Sequence, residues 1–187
     1  MKQTILGIVL ATIACYFFGF LYWGLNPLPY TSWKHTSNDE AAGQALLEHF
    51  PESGTYYIPG MHHDEATLSH LHEAGPLAFV HITREGKPVM QSDVMAKGFL
   101  LTLVTTVLIA LLLKLAAPAL PSYAAVLKFT ALAGLTATVM IDFGDSVWWH
   151  ISWGWKLHMA AYHVVSWIIT GLVLATFTCV GASSRSR

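Results

Sequence analysis

Long apolar runs alternate with one extended polar stretch along the chain, and that pattern predicts its elements. From Thr4 to Leu25 nearly every residue is apolar, enough at about 1.5 Å per residue to cross the roughly 30 Å hydrocarbon layer of a bilayer. Phe17, Phe18, Phe20, Tyr22 and Trp23 crowd the far end of this run, as an interfacial aromatic belt does. Thr12-Ile13-Ala14-Cys15 faintly resembles a lipoprotein cleavage site, but the apolar run continues through Phe20 without the small residues a peptidase needs. The segment therefore reads as a retained helix, ended by Asn26-Pro27-Leu28-Pro29. Gly98 to Ala116, Ala124 to Ile141 and Leu157 to Val180 predict three further spans, with Pro118, Pro121 and Ser122 marking a tight connection between the first two of these.

The polar excursion, residues 26–97, has its own element signals. Ser37-Asn38-Asp39-Glu40 has capping-box spacing ahead of AAGQALLEHF, which predicts a short helix. GTYYI, from Gly54 to Ile58, reads as a strand closed by Pro59-Gly60, and a second helix runs from Asp64 to Ala74 before Gly75-Pro76. LAFVHIT is strand-like, and Arg84-Glu85-Gly86-Lys87 would turn it into a hairpin with PVM. The expected fold is an all-α membrane protein of four transmembrane helices with a small extracytoplasmic α/β cap between helices 1 and 2. Its parts are residues 1–25, the cap at 26–97, and residues 98–187 with the last three helices and a short tail.

Composition agrees with the pattern: 54% of residues are apolar and only 11% charged, outside the usual range for a soluble domain. Charge also orients the spans. All eleven acidic residues lie between Asp39 and Asp145, whereas Lys2, Lys114, Lys128, Arg185 and Arg187 fall on one face if both termini are cytoplasmic. That placement has the cap and the Asp142 turn facing outward together. No basic run or stripe exists, so nucleic acid is not an expected partner. Cys15 and Cys179 sit at different depths of their spans, too far apart for a disulfide.

The stretch from Asp142 to Trp167 holds two carboxylates, three histidines and five tryptophans between two apolar segments, where ionisable groups are costly unless paired or functional. Asp142 and Asp145 are three apart and share a helical face, which Thr138 and Gly134 continue at four-residue intervals. His163 is followed on its own face by Ser166, Trp167 and Thr170. Both stripes point into the bundle, and an Asp142 to His163 contact is expected there. Trp148, Trp149, Trp153 and Trp155 read as an interfacial anchor, since indoles favour the headgroup layer. In the cap, Met61-His62-His63-Asp64-Glu65 and His70-Leu71-His72-Glu73 carry the ligand types of zinc or copper. The candidate metal residues are accordingly His62, His63, His72, Asp142, Asp145 and His163. On a helix, however, His70 and His72 point to different faces.

FFGFLYWGLNPLPYTSW in the first span and KLHMAAYHVVSWIITGLVLA in the last resemble the corresponding segments of small bacterial membrane proteins grouped as domain of unknown function 1761. On that resemblance Gly19, Tyr22, Trp23, Pro27, Trp33, Tyr162, His163 and Gly171 match family positions. The resemblance implies a four-helix membrane protein and no activity.

No nucleophile elbow, phosphate-cradling loop or zinc-protease motif is present. A non-enzymatic membrane protein, accessory to a membrane partner or to a second copy of itself, is the leading expectation. Copper or zinc binding or transport is the alternative, followed by a membrane enzyme using His163 and Asp142 as an acid–base pair.

Overall fold

The computed structural model describes the backbone of residues 2–183 and the side chains of residues 2–177; the side chains of Cys179, Arg185 and Arg187 lie outside them. It divides into two compact units, Met1–Trp33 with Gln91–Arg187, and Lys34–Met90. Residues 26–33 and 91–97, which the hydropathy pattern groups with the excursion, thus belong to the first unit.

The first unit is helical. It comprises α1 (Lys2–Gly19), α4 (Ser92–Ala116), α5 (Tyr123–Thr138), α6 (Gly144–Trp148) and α7 (Trp153–Ser183), the labels α2 and α3 falling in the second unit. Two π-helical turns extend this set, Phe20–Leu25 after α1 and Val139–Phe143 between α5 and α6. Continuous helix therefore runs over Lys2–Leu25, Ser92–Ala119, Tyr123–Trp148 and Trp153–Phe177, four segments long and apolar enough to cross a membrane. Packing follows the order α4, α1, α7, α5, with α4 leaning on α1 and barely meeting α7.

Burial in this unit is inverted relative to a soluble protein. Thr12, Thr106, Thr130, Thr138, Asp142, Ser146, Lys156 and Thr170 are buried, while Leu101, Leu115 and Met140 lie on the surface. Apolar outside and polar inside is the arrangement of a multi-pass membrane protein, where the interior is the one place polar groups find partners. Helices approach closely through small residues. A Cβ added to Gly134 would run into the Trp167 side chain, and one added to Gly171 would run into Thr130, so α5 and α7 touch backbone to side chain. Ala11, Ala110, Val126, Leu174 and Ala175 form the apolar core.

The π turn has a consequence for α5. Val126, Thr130, Gly134, Thr138, Asp142 and Ser146 recur every four residues and all are buried. In an α-helix of 3.6 residues per turn such a stripe drifts by about 40° at each step, which would carry Asp142 far round the helix. The wider turn at Val139–Phe143 takes up the surplus residue and turns the stripe back.

The second unit contains α2 (Asp39–His49), β1 (Gly54–Ile58), α3 (Glu65–Ala74) and β2 (Ala78–Ile82). Two local expectations are corrected here, the capping residue of α2 and the partner of β2. The cap of α2 is Asn38, whose side chain accepts from the Ala41 N–H, one residue beyond the Ser37 capping box. Asp64 precedes α3 as its cap and accepts from the Thr67 N–H and hydroxyl. LAFVHIT does not pair with PVM: β2 is antiparallel to β1, with Gly54 opposite Ile82 and Ile58 opposite Ala78. Pro88 offers no N–H to a ladder, and Val89 is fully exposed, so β1 is the better partner. Arg84 then donates to the carbonyls of Leu47 and Phe50 and closes the end of α2.

Candidate functional site

The candidate site lies at the junction of α5, the π turn and α7. Asp142 sits within the π turn and is fully buried. Opposite it, α7 begins at Trp153 rather than at Leu157, the expected start of the span, and this extra turn brings Lys156 into the helix. The Lys156 ammonium lies 3.3 Å from Asp142 Oδ1 and 2.5 Å from Asp145 Oδ2. His163 Nδ1 is 2.7 Å from Asp142 Oδ2. Both oxygens of Asp142 are thus engaged, one by Lys156 and the other by His163, both of α7.

Lys156 is the residue that sequence reasoning missed. Lys156, His163 and Thr170 are spaced by seven, two helical turns, and so form one face of α7. Extending the His163 stripe backwards as well as forwards would have found it. A second signal is electrostatic: two carboxylates in an apolar segment call for a cation, and Lys156 is the nearest one in sequence that a helix start at Trp153 would bring onto their side.

Charge and hydrogen-bond logic fix the roles within the cluster. An ionised carboxylate only accepts, so His163 Nδ1 donates to Asp142 and a neutral imidazole keeps its lone pair at Nε2. Two carboxylates and one ammonium leave the cluster with one negative charge when the imidazole is neutral, and none when it is protonated. Thr138 and Ser146, one turn to either side of Asp142 on the buried stripe, have hydroxyl groups without hydrogen-bond partners among the described residues.

His163 is also a wall residue of a half-open cavity of about 220 Å³ between α1, α4 and α7. This space exists because α4 packs on α1 and stands off α7. Cys15 of α1, Thr102, Thr106 and Ile109 of α4, and Tyr162 and Ser166 of α7 contribute to it. Cys15 is a free thiol, 3.1 Å from the Thr170 hydroxyl and 3.5 Å from the Ser166 carbonyl. Asp142 is not on the cavity wall; it acts on the cavity through His163.

The other candidate residues fall elsewhere. His150 is a turn residue with φ 55°, placed after α6 by the left-handed conformation that reverses the chain. His158 offers its carbonyl to the Tyr22 hydroxyl at 3.0 Å. His62, His63 and His72 belong to the second unit, where the His62 and His63 rings are 4.2 Å apart and His72 lies in the last turn of α3. Among the described residues no group of three or more His, Cys, Asp or Glu is placed to hold a metal ion. Asp142 and Asp145 converge on the Lys156 ammonium, while His163 bonds the other oxygen of Asp142.

The tryptophans divide. Trp148, Trp149 and Trp153 are exposed, in keeping with an interfacial anchor. Trp155 instead packs 5.4 Å from Trp23 and 5.2 Å from Trp33. Tyr162 stacks on Phe18 at 5.5 Å and meets Trp23 edge-on at 5.3 Å. Gly19 leaves room for the Tyr162 hydroxyl, since a Cβ there would come within 3.0 Å of it. Phe18, Tyr22, Trp23, Trp33, Trp155 and Tyr162 therefore form one cluster, and Tyr162 is one residue from His163. Comparison with protein-family models, with curated proteins and with solved structures gives no match to this chain.

Proposed function

We propose that this chain is a non-enzymatic multi-pass protein of the bacterial inner membrane, with both termini cytoplasmic, that binds a small ligand in its intramembrane cavity through the imidazole of His163. The carrying observation is that Asp142, fully buried, holds His163 by Nδ1 at 2.7 Å while His163 itself walls the cavity. A buried carboxylate that bonds one ring nitrogen sets the tautomer and leaves the other nitrogen for a ligand. The distribution of Lys2, Lys114 and Lys128 supports the orientation, and the resemblance of the first and last spans to domain of unknown function 1761 supports the bacterial inner membrane.

Binding is favoured over catalysis because, among the described residues, nothing nucleophilic meets His163. The Ser166 hydroxyl donates to the Tyr162 carbonyl at 2.8 Å, and Cys15 is bonded to Ser166 and Thr170, so neither is activated by the imidazole. Nitrogen-15 NMR of histidine-labelled protein in nanodiscs tests the reading. The His163 proton should reside on Nδ1, with Nε2 bare, and Asp142→Asn should abolish that preference. A proton on Nε2 in the wild-type chain would refute it.

A further inference from the structure

We infer that the occupant of this cavity is a small neutral compound bound through a hydroxyl group, an alcohol or phenol about one ring in size. The inference rests on the His163 reading above and names the ligand class for it.

Size sets the first limit. A cavity of about 150 Å³ accepts benzene, and liquid water takes about 30 Å³ per molecule, so 220 Å³ holds one substituted ring. Charge sets the second. Among the described residues no Asp, Glu, Lys or Arg lies on the wall, and a full charge brought into such a space lacks the partner that would offset its desolvation.

Hydrogen bonding sets the third limit. The hydroxyls of Thr102, Thr105 and Thr106 donate to carbonyls one turn back at 2.9, 3.0 and 2.9 Å, and that of Ser166 does so at 2.8 Å. A hydroxyl has one proton, so each of these side chains turns only lone pairs to its remaining neighbours. Thr170 likewise donates to the Ser166 carbonyl, at 2.9 Å, and the Cys15 thiol lies 3.1 Å from the Thr170 hydroxyl. His163 adds the lone pair of Nε2. Acceptors on the wall thus outnumber the two groups able to donate, the Tyr162 hydroxyl and the Trp167 indole N–H, so a ligand that donates is the better match. An ether or a ketone cannot, whereas an alcohol or phenol can. Leu101 and Ile109, with the rings of Tyr162 and Trp167, supply the apolar surface for the rest of the molecule.

The test is fluorine NMR on the full chain in nanodiscs, with empty nanodiscs as the partition blank. Para-fluorophenol should bind saturably and about tenfold more tightly than para-fluoroanisole, the difference expected for one net hydrogen bond. Thr106→Val and Ser166→Ala, which remove lone pairs at nearly constant shape, should shrink that advantage while leaving fluoroanisole unchanged. Thr105→Trp, at an exposed rim position, should block both probes without burdening the core. Equal binding of the two probes, tighter binding of para-fluorobenzylammonium or para-fluorobenzoate, or no saturable binding would each overturn the inference. If nitrogen-15 NMR gives the Nδ1 tautomer and fluorophenol still fails, the ligand class is wrong and the His163 site stands.

Discussion

Replacing Lys156 with Met keeps the length of the side chain and removes the ammonium that bridges Asp142 and Asp145. The two contacts differ in a way that decides the outcome. The shorter one, 2.5 Å to Asp145, involves a carboxylate that is 33% exposed, while the longer one, 3.3 Å to Asp142, joins side chains 8% and 1% exposed. Unit charges 4 Å apart attract by about 4 kcal/mol at an effective dielectric of about 20, and removing one member of a buried pair costs about 3–5 kcal/mol because the other is left unpaired. Exposed pairs contribute about 1 kcal/mol or less. Lys156→Met should therefore destabilise by about 3–5 kcal/mol and Asp145→Asn by about 1 kcal/mol, despite the shorter distance of the latter pair. Lys156→Met combined with Asp142→Asn should recover much of the loss, since no buried charge is then orphaned. Unfolding by sodium dodecyl sulfate in mixed micelles, followed by the fluorescence of the seven tryptophans, measures all four chains. A Lys156→Met change within about 0.5 kcal/mol of wild type, the scale of a surface substitution, would refute the reasoning, as would Asp145→Asn costing more than Lys156→Met.

The same assay checks the close approach of α5 and α7. Gly171→Ala should cost about 1–3 kcal/mol by overpacking, because its Cβ collides with Thr130, and Thr130→Ala should relieve part of that loss; additive effects would count against the contact. Orientation is checked by single cysteines in a chain lacking Cys15 and Cys179. Ser37→Cys should react with an impermeant maleimide in intact spheroplasts and Ala119→Cys only after permeabilisation, and the reverse pattern would invert the proposed topology. In the second unit, the Thr67 N–H holds the Asp64 carboxyl below the usual aspartate range. A lowered folded-state value stabilises above the unfolded aspartate pKa and is lost as pH falls through the folded one. The Thr67 amide shift should thus titrate with a midpoint below that of a free aspartate, and Asp64→Asn should remove the titration.

Hydropathy along the chain determined the number of apolar helices and their rough extents, because the free energy of moving a segment out of water is nearly additive over its residues. Cap and turn residues likewise placed α2, α3 and β1 to within a residue or two, since those signals act over one turn of chain. Even the Asp142 to His163 contact was legible, from two polar stripes in segments that had nowhere else to hide them. The partner of β2 was not, because strand pairing is decided by which edge is available, and β1 offered a full set of donors where Pro88 could not. Lys156 was lost at a boundary: its charge makes the residue look interfacial, and only the two carboxylates of α5 make it worthwhile to begin α7 a turn earlier. The cavity was invisible for a different reason. It is the gap left when α4 packs on α1 rather than on α7, and no single segment encodes a gap. The π turn completes the division, since a one-residue surplus in the backbone hydrogen-bond register leaves hydropathy untouched and yet decides whether Asp142 faces His163 at all.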